Sequence, residues 1–219
     1  MRRVFCALMM TLVLLTGCGR GGKETGGSAE EMALNIRAEY LAMTACSASV
    51  DVTADYGQRV YEYSMDISWQ KGGETRLTVT APENIAGITA RIQDGKSFLE
   101  YDGVSLETGA LSGTGLSPIE VVPAAMNYIL SGYIGECDFE TVDDRVLLWF
   151  CCRDPEAQPG VGTEAAFWFD PDSHALVRAE VMSDGYCVVR CVFREFTMES
   201  TEIEGTNHEP SDQANLGRD

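Results

Sequence analysis

The sequence predicts an α+β domain: a curved antiparallel sheet forming an incomplete β-barrel, with two helices on its concave face. Three observations carry this. Residues 61–69 alternate apolar and polar side chains without a break. The pairs Asp94-Gly95 and Asp102-Gly103 punctuate successive extended runs, as tight hairpin turns do. Helix-start signals occur at Ser28 and at Ser117, each followed by a series of strands.

The first element is a helix. Ser28 and Glu31 fit a capping box, in which each side chain satisfies a free backbone donor of the other residue. Met32, Ile36, Tyr40 and Met43 then recur every three to four residues, so the helix should end near Thr44.

The period changes to two after that. Tyr61, Tyr63, Met65, Ile67 and Trp69 form the inward row of a half-buried strand, preceded by a strand at 50–56. Residues 71–74 turn the chain into a strand at 76–80, and runs at 88–93 and 97–101 flank Asp94-Gly95. At Ser117-Pro118-Ile119-Glu120 a second helix starts: serine caps, proline takes the first turn, and Glu120 closes the box. Pro123 falls inside this helix as a source of a kink, and Gly132 ends it. Strands resume at 137–142, 145–153, 165–170, 175–182 and 186–197. Short turns between consecutive strands make a meander, and a single sheet of this many strands curls. A two-sheet sandwich is the other arrangement that this order allows.

The chain ends read differently. Met1-Arg2-Arg3 is a basic start, 4–15 is an apolar run broken only by Thr11, and Leu15-Thr16-Gly17-Cys18 resembles a lipobox. Residues 1–17 are therefore expected to be a signal peptide, removed before Cys18. The Cys18 thiol would carry diacylglycerol with acyl chains of the palmitate type, holding the protein on the extracytoplasmic face of the cell membrane. Residues 18–28, with five glycines, read as that lipidated cysteine and a flexible tether. The folded domain spans 29–198, and 199–219 reads as a disordered acidic tail.

Sixteen basic residues face 34 acidic ones, and losing Arg2 and Arg3 would leave 14 basic. Such a surface repels phosphate backbones, which excludes nucleic acid as a partner. After Cys6 and Cys18 there remain Cys46, Cys137, Cys151, Cys152, Cys187 and Cys191, with no C-x-x-C pair. Buried small hydrophobes and cross-strand disulfides both stand open for them. The two histidines, His174 and His208, lie beside no cysteine, so neither metal nor cofactor is expected. His174 falls in a hairpin turn and His208 in the tail, and no nucleophile elbow, zinc-protease motif or phosphate loop occurs. The chain reads as a non-enzyme.

Residues 92–102, where one strand ends at Asp94-Gly95 and the next at Tyr101-Asp102, resemble the central hairpin of LolA-like proteins. Residues 167–178, an aromatic strand ending at Asp170 and returning through Leu176-Val177, resemble the later hairpin of that family. The order helix, strands, helix, strands agrees over 32–198. The resemblance implies an unclosed half-barrel covered by helices around an apolar interior. The soluble member of the family ferries lipoprotein acyl chains. A chain lipidated at its own Cys18 is more similar to the anchored Gram-positive relatives, including spore-germination lipoproteins, one of which acts by binding a cell-wall amidase.

Two functions follow as expectations. One is binding of a lipid or other apolar ligand in the half-barrel, lined by Tyr61, Tyr63, Met65, Ile67, Trp69, Ile88, Ile92, Met126, Ile129 and Leu130. The alternative is a docking or scaffold lipoprotein of the envelope or spore, for example a partner of a cell-wall hydrolase. The glycine- and serine-rich 110–117 segment favours the second. A filled core with an exposed apolar patch or edge strand would favour it too.

Overall fold

The computed structural model describes residues 28–200, an α+β half-barrel. The expected signal peptide, the expected lipidation site Cys18, all of the expected tether but Ser28, and the expected tail beyond Ser200 lie outside the described residues. The chain begins with α1 (Ala29–Ala42), capped by the Ser28 hydroxyl, which accepts from the Glu31 amide at 3.2 Å. Six strands follow: β1 (Met43–Asp55), β2 (Val60–Gln70), β3 (Thr75–Ala81), β4 (Thr89–Gln93), β5 (Lys96–Tyr101) and β6 (Val104–Gly109). Then come α2 (Val121–Ser131) and β7 (Tyr133–Val142), β8 (Arg145–Arg153), β9 (Thr163–Phe169), β10 (Leu176–Ser183) and β11 (Tyr186–Ser200).

All eleven strands form one antiparallel sheet in the order β6-β5-β4-β3-β2-β1-β11-β10-β9-β8-β7. The two meanders join where β1 pairs with β11, Val52 opposite Cys191. The sheet does not close, so β6 and β7 are its edges. Its turns follow the sequence closely. Asp94 and Gly95, like Asp102 and Gly103, both take positive φ, the geometry that two-residue hairpins require and that Asp-Gly supplies cheaply.

The core lies between the helices and the inward side of the sheet. Ala33, Ile36 and Tyr40 of α1 and Val121, Val122, Ala125, Met126 and Ile129 of α2 are buried with the inward rows of the strands. Phe150 and Phe169 stack within it with rings 5.1 Å apart, Phe167 lies tilted against Phe150, and the Tyr40 ring meets Phe169 edge-on at 5.5 Å. Each such ring contributes about 1.5–3 kcal/mol by leaving water.

Three local expectations shift. The first helix ends at Ala42, and β1 begins at Met43, seven residues before the expected strand. The helix period and the strand alternation overlap there, and pairing with β11 decides for strand. The second helix begins at Val121, with Glu120 at its N-cap position. Glu120 does not close a box with Ser117; its carboxylate accepts from the Ser112 hydroxyl at 2.8 Å. Pro123 consequently sits in the first turn, where its missing N–H breaks no helical bond.

Candidate functional site: the concave face

A single row of side chains crosses the inward face from β1 to β6. Ala48 stands opposite Ile67, Ile67 opposite Leu77, Leu77 opposite Ala90, Ala90 opposite Leu99, and Leu99 opposite Leu106. From Leu77 outwards its exposure rises: 1% at Leu77, 7% at Ala90, 37% at Leu99 and 63% at Leu106. The row is buried as far as Ala90 of β4, and beyond it the same apolar face stands in water. Tyr101 and Val104, paired with each other one step along, are exposed as well. The row ends on β6, an edge strand with all six residues exposed.

The residues expected to line a cavity divide along this gradient. Met65, Ile67, Met126 and Ile129 are 0–5% exposed. Side chains facing an empty ligand-sized space would retain accessible surface, so these four are packed against neighbours. Tyr63, Trp69, Ile92 and Leu130 are half-buried at the margin of the same cluster, and Ile88 is half-buried. Tyr61 is exposed and stacks on Tyr63, ring centres 6.4 Å apart, with Tyr56 edge-on at 6.1 Å. Leu99, Tyr101, Val104 and Leu106 were not among the expected residues. Their alternation is present in the sequence, but how far the core extends along the row is not.

The 110–117 segment is tied down where it approaches α2. The Tyr56 hydroxyl donates to the Leu116 carbonyl at 3.1 Å, and at Gly115 a Cβ would come within 2.9 Å of the Ala124 side chain. Only glycine permits that approach, and its φ of +77° asks for glycine too.

The six cysteines within the described residues are free thiols. Burial pushes Cys46 and Cys151 up to about 12 and Cys152 up to about 11, so all three are protonated at neutral pH. A protonated, buried thiol is a poor nucleophile. His174, at φ +56° between β9 and β10, faces Glu39 of α1 with Nδ1 2.8 Å from Oε2. His208 lies outside the described residues. Among the described residues no cluster of His, Cys, Asp and Glu has the makings of a metal site, and no helix is long and apolar enough to cross a membrane.

No family model matches the chain, and no curated protein does. Solved structures do resemble it. A LolA superfamily protein of Nitrosomonas europaea is 11% identical with a TM-score of 0.44, over 80% of this chain and 96% of that one. A putative outer membrane lipoprotein-sorting protein domain of Vibrio parahaemolyticus is 11% identical with a TM-score of 0.46, over 84% and 96%. A chain from the Clostridioides difficile complex of the CwlD amidase with the GerS lipoprotein is 14% identical with a TM-score of 0.43, over 81% and 100%.

Proposed function

We propose that this protein is a non-enzymatic lipoprotein, anchored at Cys18 to the extracytoplasmic face of the membrane, that docks another envelope protein on the uncovered end of its concave face. The observation that carries the reading is the exposure gradient from Leu77 to Leu106 along one row. Its inner part is buried in the core, and its outer part is an apolar strip ending on an edge strand. Exposed apolar strips and free strand edges are what protein partners bury. The lipobox and the glycine-rich residues after it support an anchored domain on a tether.

A second reading is an apolar ligand on the same face. The half-buried Tyr63, Trp69, Ile88, Ile92 and Leu130, with exposed Tyr61, favour it as a shallow trough. Small ligands bury about 70–90% of their surface in a site, which an open strip does poorly, so the protein partner is preferred.

A photoreactive residue introduced at Leu106 in the full-length protein, irradiated in the membrane of its own bacterium, separates the readings. A discrete protein adduct is expected. Adducts with lipid alone would transfer support to the second reading, and no adduct would count against both.

A further inference from the structure

At the opposite edge of the sheet, α1 and β7 enclose a groove of about 530 Å³. Its lining has a diagnostic pattern. From the strand come five consecutive residues, Ile134 through Asp138. Successive strand side chains point to opposite faces, so a groove touching five in a row runs along the strand's edge. From the helix come Glu30, Ala33 and Leu34, spaced as one helical face, and Trp149 of β8 completes the lining. A free strand edge beside a helix is the geometry in which an extended peptide adds a strand: backbone bonds supply affinity and alternate side chains enter the groove.

The charge of the groove narrows the occupant. Glu30, Glu136 and Asp138 line it, and Glu30 and Asp138 lie close enough to Cys137 to push its thiol up further after burial. Of these acids, only Glu136 has a cationic partner among the described residues, Arg153 at 2.9 Å. Natural edge strands are commonly guarded by lysine or proline. β7 has neither; it carries a register shift between Ile134 and Glu136 and the charges of Glu136, Asp138 and Glu140, all acidic. A second copy of this acidic strand would be repelled, whereas a basic strand would be drawn in. Leu34, 62% exposed, supplies apolar contact on the α1 face, whereas Trp149 of β8 lies on the other face with Asp138, its cross-strand partner.

We propose that this groove takes an extended segment of a partner protein as an added strand on β7, with lysine or arginine on the face of Glu136 and Asp138 and apolar side chains on the α1 face, against Leu34. The site lies at the other end of the sheet from the β6 strip and stands or falls independently of it.

The test is an NMR titration of the isotope-labelled, lipidated chain in non-ionic detergent with an acetylated ten-residue peptide of alternating lysine and valine. Two control peptides are used: one with glutamate for lysine, and one with N-methylated amides at alternate residues. Amide shifts at 30–34 and 134–138 are expected with the lysine peptide, weakening as salt is added. Both control peptides should fail to produce them. Leu34→Lys, whose exposed side chain the fold does not need, should weaken binding about tenfold or more while the remaining spectrum is unchanged. Absent shifts, shifts centred on β6, or equal binding of the N-methylated peptide would each overturn the proposal.

Discussion

Arg37 of α1 holds the carbonyl end of α2: its guanidinium donates from Nη2 to the Gly132 carbonyl oxygen at 2.8 Å. Its Nε donates to the Ile129 carbonyl at the same distance. The last carbonyls of a helix have no intrahelical partner and form the negative end of its dipole, and one planar fork satisfies two of them. The two helices are thereby fixed to one another above the filled part of the half-barrel.

Arg37→Ala should therefore lower stability by about 2–3 kcal/mol, because two part-buried carbonyls lose charge-assisted bonds. Arg37→Lys should recover only part of this, since an ammonium cannot span both oxygens. Urea unfolding of the two variants checks the order wild type, lysine, alanine.

The gradient along the concave row predicts unequal costs for similar substitutions. Leu77→Ala, in the buried part of the row, should cost about 2–5 kcal/mol. Leu106→Lys, on the exposed strip, should change stability by no more than about 0.5 kcal/mol. That second variant should nonetheless lose the partner captured beside β6. Unfolding midpoints and the cross-linking yield report the two effects separately.

The buried thiols make the fold sensitive to alkali. Cys46, Cys151 and Cys152 keep their protons in the folded chain up to about 12, 12 and 11, whereas unfolded thiols ionise around 8.5. A pKa raised by folding contributes stability that is complete below the unfolded value and is lost as pH rises towards the folded one. Stability should accordingly fall from about pH 9 upwards. Under native conditions at pH 8, a thiol reagent should leave these three unmodified, and they should react once the chain is unfolded in denaturant.

Asp170 should make an opposite, acid-side contribution. Its Oδ1 accepts from the Ser173 amide at 2.9 Å, the Ser173 hydroxyl at 3.0 Å and the Asp172 amide at 3.1 Å, while Arg145 reaches Oδ2 at 2.8 Å. These donors, the Ser173 amide foremost, hold the carboxyl below its usual range. A lowered pKa contributes stability above the unfolded value that disappears as pH falls through the folded one. Asp170→Ala should cost about 1–2 kcal/mol at neutral pH, as the loss of a capping carboxylate does, and its difference from wild type should shrink in acid. Thermal melts at several pH values test both statements.

Local chemistry made much of this fold legible. The unbroken alternation of 61–69 identifies the inward row of β2, and Asp94-Gly95 and Asp102-Gly103 mark two hairpins at their observed places. What stayed hidden was non-local. The junction of the two meanders pairs Val50 with Phe193 and Val52 with Cys191, partners far apart in the chain. Glu195, at positive φ beside a register shift in β11, re-aims Phe196 and Met198 in a way that no alternation predicts. At the candidate site the sequence identified a face but not its cover. Ile67 and Leu106 belong to one row, yet the first is buried and the second stands in water on an edge strand. The groove at β7 needed the placement of α1 against a strand about a hundred residues later, which no local period encodes.

The most direct test of a half-barrel filled by its own helices is native mass spectrometry of the full protein, released gently from its membrane in detergent. The expected mass is that of the polypeptide with the acyl groups proposed at Cys18 and no additional lipid. A stoichiometric additional lipid, released only on denaturation, would contradict it and return the space around Met65, Ile67, Met126 and Ile129 to a bound ligand.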